Sequence, residues 1–321
     1  MNDETLNKMR DIIQEDVGRR GLRTDPVDNL ITACPDDFRL ACHSLADAAQ
    51  PSLAIVTGFF IPTASPPSGE TDGPLGALFL ARALVPLGIH VVLVTDAFCA
   101  TALQVGLEAC GLAKQVALIT LPSYAESQQL GHEAYWQRFL GEAGPITHLL
   151  ALERVGPSHA ESRCFSMRGR DITELMSPAH WLLEAAVPAQ PRIVTLGIGD
   201  GGNEIGMGKI ARDVIARNIP RGELVACRVP ADHLIVCGIS NWGAYGLAAG
   251  VRYLRGAAVD EILFDVSREL DLLEMMVRHG PLVDGVTGLQ AATVDGLDFA
   301  TYAEVLRRLA TCLGCSGATL S

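Results

Sequence analysis

Short aliphatic runs recur along the chain at residues 53–57, 90–95, 116–120, 148–152, 192–196, 223–227 and 233–237. Each is short for a helix, and each is too continuous for a strand with one wet face. That is the pattern of strands buried on both sides. Between several of them, at 75–87 and 101–110, apolar positions return every three or four residues. Strands separated by helices predict βαβ units and a parallel sheet. The expected fold is therefore α/β and doubly wound, Rossmann-like, with a mostly parallel sheet and helices on both faces. Leu6, Met9, Ile12, Ile13 and Val17 stand at helical spacing ahead of the first strand. Residues 1–50 are accordingly expected as a helical segment packing on the core, and 51–321 as the α/β domain.

Composition narrows the function classes. The 321 residues are 49% hydrophobic and only 19% charged, which suits a sheet covered on both faces; aromatics are 5%, so the core is aliphatic. Net charge is −12 with the basic residues scattered. A nucleic-acid partner needs a basic face, and an anionic membrane surface is disfavoured for the same reason. The longest apolar stretch, 75–95, is interrupted by Arg82, Pro86, Gly88 and His90. It reads as helix, turn and strand rather than a membrane span of about 20 apolar residues. The opening MNDETLNKMRDIIQEDVGRRG is rich in acid and lacks the apolar stretch of a signal peptide. Nine cysteines at irregular spacing argue for free thiols in a reducing compartment, the cytoplasm, rather than a disulfide framework. The pair Cys312 and Cys315 makes one C-x-x-C, a weak signal for redox or metal chemistry.

The richest stretch is TLGIGDGGNEIGMGK, 195–209. Gly197, Gly199 and Gly202 fit the dinucleotide pattern G-x-G-x-x-G, after an expected strand and before a helix expected near Glu204. Two features oppose a dinucleotide. Asp200 lies inside the turn and Glu204 follows, and carboxylates beside a diphosphate repel it by several kcal/mol where water screens poorly. The next expected strand also ends near Cys227 and Arg228, without the acid that would hold a ribose. The corner is expected to meet a cation, either a substrate ammonium or a divalent metal (Mn or Mg) on Asp200 and Glu204. The blander alternative is that both acids cap the helix and pair with Lys209.

Other candidates follow other strands. The loop PTASPPSGETDGP, 62–74, lies where open α/β sheets bind ligands and brings Glu70, Thr71 and Asp72. Asp-Gly pairs occur at 72, 200, 284 and 295. The first two are expected to project into the binding crevice, while ordinary turn chemistry accounts equally well for the last two. Glu153 and Arg154 end the fourth strand, and Arg163, Arg168 and Arg170 follow. Guanidinium forks suit carboxylates, and Arg154 and Arg168 are the favoured pair. Asp96 would cap a helix or serve as a ligand, and Ser240 and Asn241 would cap a helix or offer neutral hydrogen bonds. The sequence contains no H-E-x-x-H, no G-x-S-x-G and no phosphate-binding P-loop motif.

The runs TGFFIP (57–62), ETDGPLGA (70–77), LVTDAF (93–98), ERVGP (153–157), MRGRDIT (167–173), GIGDGGNEIGMGK (197–209), SNWGAYGLA (240–248) and DGVTG (284–288) together resemble the D-glutamate cyclase family. They look most like its C-terminal cyclase-like domain, in the same order, from about residue 50 to about 298. The stretch HAESRCFSM, 159–167, departs from the Tyr-rich sequence ending in Asn that the family carries there. Larger mitochondrial relatives hold a further N-terminal domain for which this chain is too short, and no mitochondrial presequence is visible.

The resemblance implies a hydro-lyase that converts D-glutamate to 5-oxo-D-proline with loss of water. Such chemistry needs a base, an acid and charge neutralisation. On this reading Asp200 and Glu204 receive the ammonium or a metal and one of them acts as base. Asn203 donates to the developing oxyanion, and Arg154 and Arg168 hold the substrate carboxylates. Glu70, Thr71 and Asp72 close the pocket. Gly201 and Gly202 bring backbone close to the ligand, and Ser240 and Asn241 add hydrogen bonds. No cofactor is demanded beyond the open case of the metal. The expected partner is a small molecule, with no nucleic acid and no membrane, and a homo-oligomer is compatible. Two alternatives stand beside this reading: a non-catalytic amino-acid or dicarboxylate binding protein on the same scaffold, and a nucleotide-dependent enzyme.

Overall fold

A computed structural model describes residues 3–258 and 260–315. Six parallel strands form the main sheet: β1 (Ser52–Thr57), β4 (His90–Thr95), β5 (Ala117–Thr120), β6 (His148–Leu152), β7 (Val194–Gly199) and β8 (His233–Val236). Two short strands, β2 (Phe60–Ile61) and β3 (Ser68–Gly69), pair antiparallel as a separate ribbon. The order across the main sheet is β5-β4-β1-β6-β7-β8. The chain works outward from β1 in one direction, then returns to β6 on its other side, so the switch point lies between β1 and β6. The doubly wound α/β fold is as expected.

Each strand feeds two cores because successive side chains point to opposite faces. Leu53 and Ile55 of β1 join one core, and Ala54 and Val56 the other. The first core is covered by α1 (Asp3–Ile13), α3 (Asp37–Asp47), α4 (Pro74–Leu84), α5 (Ala97–Ala109), α10 (Ser240–Leu254), α11 (Val266–His279) and α13 (Glu304–Cys312). The second is covered by α2 (Leu30–Ala33), α6 (Tyr124–Ala143), α7 (His180–Ala186), α8 (Arg212–Asn218) and α9 (Gly222–Val225). A further short helix, α12 (Phe299–Tyr302), precedes α13. Small residues on α10 let the N-terminal helices come close. A Cβ on Gly246 would stand 2.9 Å from the Ile13 side chain.

The structure corrects three expectations. The run 223–227 is no strand: residues 223–225 lie in the short helix α9, and the apolar residues Val225, Ala226 and Cys227 are buried by the second core. Periodicity cannot separate strand from helix over so short a run. Strand β7 runs on to Gly199, so Gly197 and Gly199 belong to the sheet rather than to a loop. No helix begins near Glu204. Residues after it extend alongside the end of β6, with Ile205 N–H donating to Arg154 O at 2.7 Å, and helix α8 begins only at Arg212. Among the described residues no helix is long and apolar enough to cross a membrane. All nine cysteines are free thiols.

Candidate active site

The carboxyl ends of the strands around the switch point deliver acids to one place. Glu153 directly follows β6 and Asp200 directly follows β7. Asp72 precedes α4, and Ser240 opens α10 after β8. Glu153 adopts φ of 44° and Asp295 φ of 54°, a left-handed conformation uncommon outside glycine. Such positions cost of order 1–3 kcal/mol and cluster at functional sites.

The glycines of 197–206 admit a carboxylate rather than a phosphate. A Cβ on Gly199 would stand 2.9 Å from the Glu204 carboxyl carbon, and one on Gly197 would stand 2.8 Å from Gly206 Cα. Glu204 folds back over Gly199, and its Oε1 accepts from Asp200 N (2.9 Å) and Gly201 N (2.6 Å). These are the backbone donors a phosphate would need, so the chain fills its own anion nest. The alternative pairing with Lys209 is absent, because Lys209 Nζ donates to Asp37 (2.5 Å) and Asp232 O (2.6 Å). Gly202 sits at φ of 91°, where its hydrogen faces Ile215.

Two helix ends hold each other beneath the site. Asp72 accepts from Ser240 N (3.0 Å) and Asn241 N (2.8 Å) at the start of α10. Asn241 Oδ1 in turn accepts from Gly73 N (2.8 Å) and Gly76 N (2.7 Å) at the start of α4. Each motif supplies the other's unsatisfied first-turn donors. The Ser240 hydroxyl donates to Glu153. Thr71 ties down a further loop, its N–H donating to Val283 O (2.9 Å) and its hydroxyl to Thr293 O (2.8 Å). Asp284 organises that loop from within, accepting from Val286 N, Thr287 N, Thr293 Oγ1 and Gly296 N. The loop delivers Asp295 to the acids, a role the Asp-Gly turn reading did not assign.

Six carboxylates converge there: Glu70, Asp72, Glu153, Asp200, Glu204 and Asp295. Among the described residues, Arg20 is the cation paired with them. Arg20 donates to Asp200 Oδ1 at 2.6 Å and pairs with Asp295. It comes from the segment after α1, where the Asp16 carboxylate accepts from the N–H groups of Arg20, Gly21 and Leu22. Burial, then the neighbouring carboxylates, push Glu70 and Glu153 well above the usual range. Burial raises Asp200 well above its usual range, against the pull of Arg20. Asp72 is pushed up to about 8 by burial and by Asp295. Burial works against the charge of Arg20, but Asp200 and Asp295 outweigh it and hold the guanidinium charged.

Several oxygens in this centre are buried without a partner: Asp200 Oδ2, Glu204 Oε2, Asp295 Oδ2 and Asn203 Oδ1. Ligand atoms of Asp72, Asp200 and Asp295 lie within 4.8 Å of one another, as do those of Glu153, Asp200 and Glu204. A cavity of about 390 Å³ opens over the centre and is rimmed by Arg20, Glu70, Glu153, Arg168, Arg170 and Asp295. Arg168 also donates to Val286 O at 2.6 Å.

Two residues take places that differ from their expected roles. Arg154 is fully buried, and its guanidinium donates to Gly58 O (3.0 Å), Ser177 O (2.8 Å) and Asp96. With these donors spent inside the protein, it does not reach the cavity to hold a substrate carboxylate. Asp96 likewise neither caps a helix nor meets the cavity, since it accepts from Arg154 and Ser177 N. Asn203 donates one amide N–H to Phe165 O at 2.8 Å, and its Oδ1 is buried without a partner. Arg20 and Asp295 are the residues that sequence reading missed.

Residues 9–310 match the family described as D-glutamate cyclase-like, C-terminal. The human protein "D-glutamate cyclase, mitochondrial" is 32% identical over 336 aligned positions, covering 95% of this chain and 51% of the human one. The chain therefore spans about half the length of that relative. With so much of it matched, the chain belongs to the D-glutamate cyclase-like family.

Proposed function

We propose that this member of the D-glutamate cyclase-like family is a hydro-lyase that closes D-glutamate on itself to give 5-oxo-D-proline and water, working in the cytoplasm. The observation that carries the reading is the buried centre of carboxyls with unpartnered oxygens, beneath a cavity rimmed by arginines. An ammonium fits the free oxygens of Asp200 and Asp295, and Arg168 with Arg170 suits a carboxylate.

The reaction forms a bond from the α-nitrogen to the γ-carbon and breaks a γ-carbon–oxygen bond. Two protons leave the ammonium and depart with that oxygen as water. The centre suits both transfers. Asp200, with one buried oxygen free, takes a proton from nitrogen. Glu70 or Glu153, whose neutral form burial favours, returns one to the leaving oxygen. General acid–base help of this kind contributes about 10²–10⁴-fold.

The donor set also fits a hard divalent cation such as Mg²⁺ or Mn²⁺, because it consists of carboxylate oxygens and includes buried orphans. Asp200 would hold it either with Glu153 and Glu204 or with Asp72 and Asp295. When bound, such an ion supplies Lewis-acid polarisation of a carboxyl oxygen. Oxoproline measured from D- and L-glutamate, each with and without Mn²⁺ or Mg²⁺, tests the proposal. Formation from D-glutamate supports it, and no product under any of these conditions contradicts it.

A further inference from the structure

Glutamate leaves much of the cavity unexplained. Beside the acids, part of its lining is apolar: Phe59, Phe60, Ile61 and Pro62 come from the run through β2, and Met167 and Val286 from two other loops. Phe60 is braced by Phe98, with ring centroids 4.9 Å apart. The volume of about 390 Å³ falls among pockets that enclose drug-sized ligands, about 300–1,000 Å³. Glutamate carries an ammonium and two carboxylates and has no apolar group to set against this wall.

Charge points the same way. The ammonium is matched by the acids and one carboxylate by Arg168 and Arg170. The carbon under attack must lie beside the amine, and so beside the acids. Arg20 already serves Asp200 and Asp295, so a second carboxylate there lacks a ready partner. A buried charge left unpaired is costly. A neutral carbonyl group in that place avoids the cost.

We propose that the site also acts on γ-N-substituted amides of D-glutamate whose substituent is apolar, releasing 5-oxo-D-proline and a free amine. The inference rests on the cyclase reading above, since it uses the same attack by the α-amine. The α-nitrogen bonds to the γ-carbon, and the γ-carbon–nitrogen bond of the amide breaks. Of the two protons the α-ammonium sheds, one passes through the carboxyls to the departing nitrogen and the other is released to solvent. No oxidant, reductant or second substrate is needed. The apolar substituent lies against Phe60 and Val286.

The test compares three compounds under the same conditions, each corrected for uncatalysed cyclisation: D-glutamate, D-glutamine and the γ-anilide of D-glutamate. D-Glutamine is neutral at the γ-position but has no apolar group. Released oxoproline is measured for all three, and aniline for the third. The expected kcat/KM falls in the order anilide, D-glutamine, D-glutamate, with the anilide at least tenfold above D-glutamine. Val286→Asp, at a half-exposed position, is expected to lower the ratio of anilide to D-glutamine turnover several-fold, and Phe60→Ala to do the same. An anilide no faster than D-glutamine overturns the proposal. Turnover of D-glutamate without turnover of either amide also overturns it and leaves the cyclase reading standing. No product from any of the three overturns both.

Discussion

Arg20 and Asp200, 180 positions apart in the chain, are joined by an ion pair of 2.6 Å in which Asp200 is fully buried. The pair ties the N-terminal segment to the centre of the sheet. It also sets the only cation that, among the described residues, pairs with the six converging carboxylates.

Replacing Arg20 with Gln is therefore expected to destabilise the protein. Removing one partner of a buried pair costs about 3–5 kcal/mol, and the low end applies here because the side chain is 20% exposed and the acids can take up protons. The cost should be larger at pH 8 than at pH 6, and Mn²⁺ should bind more tightly to the variant than to the wild type. Urea denaturation at both pH values and calorimetric titration with Mn²⁺ check this.

The acid centre makes stability depend on pH. Asp72 has an ordinary value of 3.8 and is held up to about 8. Between those values the folded protein keeps a proton that the unfolded chain has released. Stability is thus fully present below about 3.8 and is lost as pH rises through about 8. Glu70, Glu153 and Asp200 act in the same direction. His148 acts oppositely, because burial lowers it from 6.5 to about 4 and its contribution is lost as pH falls through that range. The carboxyl effect is read cleanly above pH 6.5. Glu70→Gln should flatten the decline from pH 6.5 to 8.5 and raise stability at the upper end by about 1.4 kcal/mol for each pKa unit relieved, as measured by denaturation midpoints.

Arg154 offers a test of structure against binding. Its guanidinium is fully buried and serves Asp96 and two backbone carbonyls. Arg154→Lys loses the planar fork and is expected to cost about 3 kcal/mol or more. The folded fraction should keep its KM for substrate. A raised KM with unchanged stability would show that Arg154 holds substrate instead.

The helix interlock predicts a further loss. Asn241→Ala removes the acceptor of Gly73 N and Gly76 N. Two buried donors left unsatisfied cost about 1–3 kcal/mol each, and the denaturation midpoint should fall accordingly.

The sequence displays this site unevenly, for physical reasons. Asp200 and Glu204 were legible because two acids stand out in a glycine-rich turn, and in the structure Glu204 folds back onto Asp200 N and Gly201 N. The sheet was legible because strands buried on both faces read as unbroken aliphatic runs. The pattern failed at 223–227, where a short apolar run is buried by the second core without joining the sheet. Arg20 was hidden because an arginine after an amphipathic helix looks like a solvated charge until the fold turns it inward. Asp295 was hidden because Asp-Gly is ordinary turn chemistry, and only the loop organised by Asp284 carries it to the acids. Its left-handed backbone is visible in the structure alone.

The most direct test is oxoproline formation from D-glutamate by the wild type and by Asp200→Asn, side by side, with and without Mn²⁺, and with the fold of each checked by circular dichroism. The account predicts product from the wild type and a loss of about 10²-fold or more in the variant. Equal turnover by the two proteins would contradict it.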